Sequence, residues 1–215
     1  MAMISVNVLA AVCFLFLGFT RVASGGEATS VFGVVFTRWG HNDCPALTTK
    51  VYNGVMAGSR HNNSGDGYKY LCLPPVPTYD EVEVEPGMQT DRGYIHHTQY
   101  YTPSGPFESK QYQDVPCAVC LDGRHSNVIL HPARNDCPYG WAVEYHGYLM
   151  SPRYSSDRVM EYVCVDIEGR VVPGTIADVP GAHLYPVEVV CPTGGGIPCL
   201  PYIGGYELTC AVCAV

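Results

Sequence analysis

Four of the eleven cysteines stand in two Cys-x-x-Cys pairs, Cys117–Cys120 and Cys210–Cys213. In a reducing compartment such pairs carry redox chemistry or hold zinc. Here Ala-Val separates the cysteines both times, a spacer at home on a strand, and no βαβ pattern surrounds either pair. Both therefore read as structural bridges. His96 and His97 invite a metal or general-base role, but adjacent residues on a strand point to opposite faces. The loop Asn62-Asn63-Ser64-Gly65-Asp66-Gly67 offers oxygen ligands and glycines without the bidentate glutamate of an EF-hand. The same loop holds the only standard sequon, so Asn62 is read as a glycosylation site. Asp80, Glu81, Glu83 and Glu85 could attract cations or a basic partner, and read as a solvated face. Ser, His and Asp are present without a nucleophile elbow or other triad motif. The expectation is a protein that is not an enzyme and uses no cofactor or metal. Tyr68, Tyr70, Tyr94, Tyr100 and Tyr101 cluster in the first half and form a candidate recognition surface, since tyrosine joins an apolar body to a polar tip.

The elements that must position these residues repeat. Asn42-Asp43-Cys44-Pro45 returns as Asn135-Asp136-Cys137-Pro138, an offset of 93, and Cys117-Ala118-Val119-Cys120 returns at 93 again. Tyr70-Leu71-Cys72-Leu73 maps onto Tyr162-Val163-Cys164-Val165 at 92, and the run from Tyr94 maps less closely at 89, placing Tyr185 and Pro186 opposite His96 and His97. A period this long describes two copies of one small domain, not a solenoid. Val31–Trp39, Lys50–Ala57, Tyr68–Leu73 and Tyr94–Tyr101 read as strands, as do Ala142–Met150, Glu161–Asp166 and Leu184–Val190, while Val128–Leu130 leads into the second copy. Gly54 and Gly147 sit inside matching strand runs, where glycine marks a bulge or a close backbone approach. No segment sustains a 3.6-residue apolar period. The fold class is all-β: two tandem copies of a disulfide-stapled β domain, separate or sharing one compact pseudo-symmetric unit. The boundaries are 1–25, 26–33, 34–126 and 127–215.

Residues 1–25 read as a signal peptide, with an apolar run over Ile4–Phe19 and small residues at Ala23 and Gly25; residues 26–33 are a polar lead. Cleavage would remove Cys13, leaving ten cysteines, an even number suited to a disulfide framework in a secreted, extracellular protein. The formal net charge of −8 becomes −9 once Arg21 is removed, which argues against nucleic acid. No later stretch has membrane length. Cys191 and Cys199 lack counterparts in the first copy and most simply bond each other across a glycine-rich loop.

The stretch CPYGWAVEYHGYLM, residues 137–150, resembles the opening of a repeat in the C-terminal non-collagenous domain of type IV collagen. Residues 34–215 as a whole resemble the spongin-like short-chain collagens of invertebrates, through FTRWG…CP, YLCLP, VPCAVC, ILHPARNDCPYGW, YVCVD, LYPVEVVC and LTCAVC. The type IV resemblance implies nested bridges: Cys44–Cys120, Cys72–Cys117, Cys137–Cys213, Cys164–Cys210 and Cys191–Cys199. It also implies self-association, as a homo-oligomer and by analogy a trimer. Residues 26–215 contain no Gly-X-Y run, so a collagen triple helix is excluded for this segment. The expected function is a secreted extracellular-matrix structural or assembly protein, binding itself and matrix proteins or glycans, with neither nucleic acid nor membrane as partner. The alternative is a soluble lectin-like carbohydrate-recognition protein of mucus or body fluid.

Overall fold

The computed structural model describes residues 32–79, 87, 91–191, 196–197 and 200–215. The signal-peptide segment, most of the polar lead, the acidic run at 80–85 and Cys199 lie outside the described residues. The fold is all-β. Five strands come from the first half: β1 (Val34–Trp39), β2 (Thr49–Gly58), β3 (Leu71–Leu73), β4 (His96–Tyr100) and β5 (Pro116–Asp122). Five come from the second: β6 (Val128–Pro132), β7 (Ala142–Ser151), β8 (Val163–Asp166), β9 (Ala182–Pro186) and β10 (Thr209–Ala214). Among the described residues the only helical turn is 3-10, over Glu108–Lys110.

Most of the expected strands form where the β-branched and aromatic runs lie. The exception is the last run of the second half, which starts two residues before Leu184 and ends at Pro186. Beyond Pro186 the chain is held by single bonds, Val187 donating to the Leu149 carbonyl and Leu208 donating to the Val187 carbonyl.

Both halves are stapled alike. Cys44–Cys120 and Cys137–Cys213 each span 76 residues, while Cys72–Cys117 and Cys164–Cys210 span 45 and 46. These pairings are the ones the type IV resemblance implies. The spacing of three in Cys-Ala-Val-Cys explains why neither pair closes on itself. On β5, Cys117 shares its cluster with Val119 and Cys72, while Cys120 shares the opposite one with Ala118 and Phe36, so each face of the strand takes one bridge. Gly54 and Gly147 mark close backbone approaches. A Cβ on Gly54 would lie 1.8 Å from the Leu73 carbonyl oxygen, and one on Gly147 1.8 Å from that of Val165.

The strand order is β6-β10-β7-β8-β1-β5-β2-β4-β9, with β3 beside β2, and a further β7–β9 pairing closes the path upon itself. Two contacts between halves are parallel: β1 meets β8 at Trp39↔Val165, and β4 meets β9 over Thr98↔Ala182 to Tyr100↔Leu184. Met56, Tyr100 and Val115 pack with Met150, Val165 and Leu184 in one core. The halves 34–126 and 127–215 are therefore not separately packed domains. Residues 31–215 form one compact unit, because neither half covers its own apolar face.

Candidate functional site

The join between β1 and β8 is short in backbone bonds and rich in side-chain ones. Arg38 donates from Nε to Asp166 Oδ2 at 2.6 Å, with both side chains nearly sealed from water. The Tyr145 hydroxyl lies 2.9 Å from the Thr37 carbonyl and 3.1 Å from that of Cys164. It is placed to donate across the join.

The repeat gives this join an open counterpart. Register maps β1 onto β6 and β8 onto β3: Phe36 and Ile129 face Cys120 and Cys213, and Val165 and Leu73 face Tyr148 and Val55. Yet among the described residues β6 pairs only with β10, and β3 only with β2. Residues buried in the closed join are exposed at the open edges: Phe36 7% against Ile129 38%, Tyr145 5% against Tyr52 39%, Val163 5% against Leu71 50%, and Val165 0% against Leu73 37%. Two strands with one open edge each thus carry apolar side chains in the pattern that elsewhere in the molecule is covered. Unpaired edges of this kind are templates for another chain.

The β4–β9 seam carries a polar, aromatic face on the side away from the core. Gln99 Nε2 donates to the carbonyls of Tyr112 at 3.0 Å and Ala177 at 2.9 Å. His97 Nδ1 lies 2.6 Å from Asp114 Oδ1. Three rings stack along the seam, His61 on His183 and His183 on Tyr101, each at 4.3 Å between centroids, and Tyr185 tilts against Tyr101 at 5.3 Å. Burial, reinforced by the neighbouring His61, pushes His183 down to about 4. Burial, aided by the hydrogen bond with Tyr112, pushes the Tyr101 hydroxyl up to about 12. These rings, with Arg153 and Asp157, line a groove of about 280 Å³.

A second charged cluster clasps the connection between the halves. Asp122 ends β5 and is fully buried; Arg124 donates to it from the backbone N at 2.8 Å, from Nε at 3.0 Å and from a terminal nitrogen at 3.0 Å. His125 Nδ1 lies 2.5 Å from the same carboxylate, and Arg124 reaches Glu144 of β7 at 3.4 Å. Burial would raise the Asp122 carboxyl, but the Arg124 hydrogen bonds outweigh it and hold the group far below the usual range. Burial and the adjacent Asp122 push Glu144 up to about 7. Asp122, His125 and Glu144 bring their ligand atoms within 4.8 Å of one another, a set suited to a divalent ion. Arg124 already supplies the positive charge there, and the geometry is that of an internal clasp.

The candidate tyrosine surface is corrected by this arrangement. Tyr70 and Tyr100 lie in the core, Tyr100 sharing the buried face of β4 with Thr98, as the strand period of two requires. Tyr68 is exposed, Tyr94 half-buried, and Tyr101 alone of the five lines the seam groove. Asn62 is exposed at the groove's rim. Sequence reasoning missed His61, His183, Tyr185 and Arg153; the offset of 89 that aligns Tyr185 with His96 was the available signal. His96 and His97 do not converge, His97 turning to Asp114. Cys191 is described and its expected partner Cys199 is not. No family model matches the chain.

Proposed function

We propose that this is a secreted extracellular structural protein that assembles by joining copies of itself head to tail, the β6 edge of one copy against the β3 edge of the next. One observation carries the reading: the open edges repeat, in register and in apolar pattern, the surfaces that the β1–β8 join covers within the chain, although His131 and Pro74 stand where the join has Arg38 and Asp166. Covering Tyr52, Leu71, Leu73 and Ile129 would remove from water the apolar surface that their counterparts already bury. A head-to-tail interface closes into a ring when its rotation allows, and the resemblance to a trimerising domain makes three the expected number. The four disulfides need an oxidising compartment to form, and a glycan on the exposed Asn62 loop would suit the same setting. Matrix proteins or glycans are the further partners under this reading.

The test is size-exclusion chromatography with light scattering on protein secreted from eukaryotic cells, across a wide concentration range. A concentration-dependent oligomer, three copies at saturation, supports the proposal. A monomer at every concentration up to the millimolar range overturns it.

A further inference from the structure

The groove on the β4–β9 seam has the composition of a small neutral-ligand site. Its walls are rings, Tyr101 and Tyr185 both half-buried, with His61 and His183 stacked between strand and loop. Its rim is polar and balanced in charge, Arg153 against Asp157, with the hydroxyls of Ser155 and Ser156 beside them. One cation and one anion in the lining, with Asp178 near the same rings, leave no excess positive charge to attract a phosphate, so the groove favours a ligand rich in hydroxyls.

Two further features point to an occupant. His183 is nine-tenths buried, and its Nε2 is one of six buried side-chain polar atoms without a hydrogen-bond partner among the described residues; such atoms need an explanation. The ring lines the groove, stacked between His61 and Tyr101. Asn62, the one sequon asparagine, stands on the rim of the same groove with its side chain exposed. A volume of about 280 Å³ lies just below the usual range of ligand sites, roughly 300–1,000 Å³, and suits a small occupant.

We infer that the seam groove binds a pyranose, its apolar C–H face against Tyr101 and Tyr185 and its hydroxyls toward Arg153, Ser156 and Asp157. The sugar has two possible sources with the same chemistry: the first residues of a glycan on Asn62, or a free saccharide. Neither source depends on the self-association proposed above, so the two ideas fail separately.

The experiment uses the full secreted protein in two forms, wild type and Asn62→Gln, with chitobiose, the reducing-end disaccharide of asparagine-linked glycans, as probe. Saturation-transfer NMR on Asn62→Gln is expected to show saturable binding, with transfer to pyranose C–H protons. Adding Arg153→Ala and Asp157→Ala, both exposed positions, is expected to weaken binding at least tenfold while leaving the melting temperature in place. If wild type loses chitobiose binding relative to Asn62→Gln, the protein's own glycan is the occupant. If wild type binds equally well, a free saccharide is. Absence of saturable binding in Asn62→Gln, or binding indifferent to the rim substitutions, overturns the inference.

Discussion

Replacing Val165 and Leu73 by lysine separates folding from assembly, because the two residues are equivalent in register and opposite in circumstance. Val165 is fully buried where β8 meets β1, and Leu73 is 37% exposed on the open edge of β3. Val165→Lys places an ammonium in the shared core without a partner, a change that costs about 3–5 kcal/mol of folding stability. Leu73→Lys leaves its charge in water in the monomer and should shift folding stability by less than about 1 kcal/mol. In the assembled state the same lysine forfeits the remaining burial of a leucine, about 0.5–1 kcal/mol at a third of the full value. It also leaves an imperfectly solvated charge, about 1–3 kcal/mol more. At 1.4 kcal/mol per factor of ten, association should weaken about 10-fold to 700-fold. Urea denaturation reads the first quantity and sedimentation velocity the second. The reasoning is refuted if Leu73→Lys destabilises the monomer as much as Val165→Lys does, or if it assembles like wild type.

Other outcomes follow from the same geometry. Gly54→Ala and Gly147→Ala should each cost several kcal/mol or abolish secretion, because a Cβ would meet a carbonyl oxygen at 1.8 Å; secreted yield and melting temperature report it. Reducing Cys44–Cys120 or Cys137–Cys213 should cost about 4 kcal/mol each in the chain-entropy picture, read as the urea midpoint of the corresponding Cys-to-Ser pair. His183 has a folded pKa of about 4, below its ordinary 6.5, so the unfolded chain takes the proton first. Its contribution is therefore complete above pH 6.5 and lost as pH falls toward 4, by about 3 kcal/mol; the difference between wild type and His183→Phe across that window should follow this slope. Glu144 is the opposite case, with a folded value of about 7 against an ordinary 4.5. Stability is lost as pH rises from 4.5 to 7, and Glu144→Gln should be the more stable protein at pH 8 by thermal melting.

Much of the fold was legible because it is local or repeated. The strand runs follow β-branched and aromatic residues, and Gly54 and Gly147 announced their close approaches by recurring inside matching strands. The nested bridges came from resemblance, and the odd spacing on β5 accounts for them physically. How the halves meet was not legible. The β1–β8 and β4–β9 contacts are parallel pairings between residues far apart in the chain, and a repeat says that two halves are alike without saying which edges touch. The tyrosine surface failed for a smaller reason: Tyr100 and Tyr101 are neighbours in sequence, and strand alternation sends one into the core and the other to the groove. Asp122 and Glu144 belong to different halves and have no charged counterparts under the repeat, where Val215 and Val51 stand. Their clasp is therefore a property of the folded connection alone.

Head-to-tail assembly is tested most directly by sedimentation equilibrium on two single-edge variants, Leu73→Lys and Ile129→Lys, alone and mixed in equal amounts. Each variant keeps one intact edge that only the other can complete. The expected result is a monomer for each alone and a one-to-one dimer, with nothing larger, for the mixture. Assembly of either variant alone to the wild-type size, or a mixture that stays monomeric, would contradict the account.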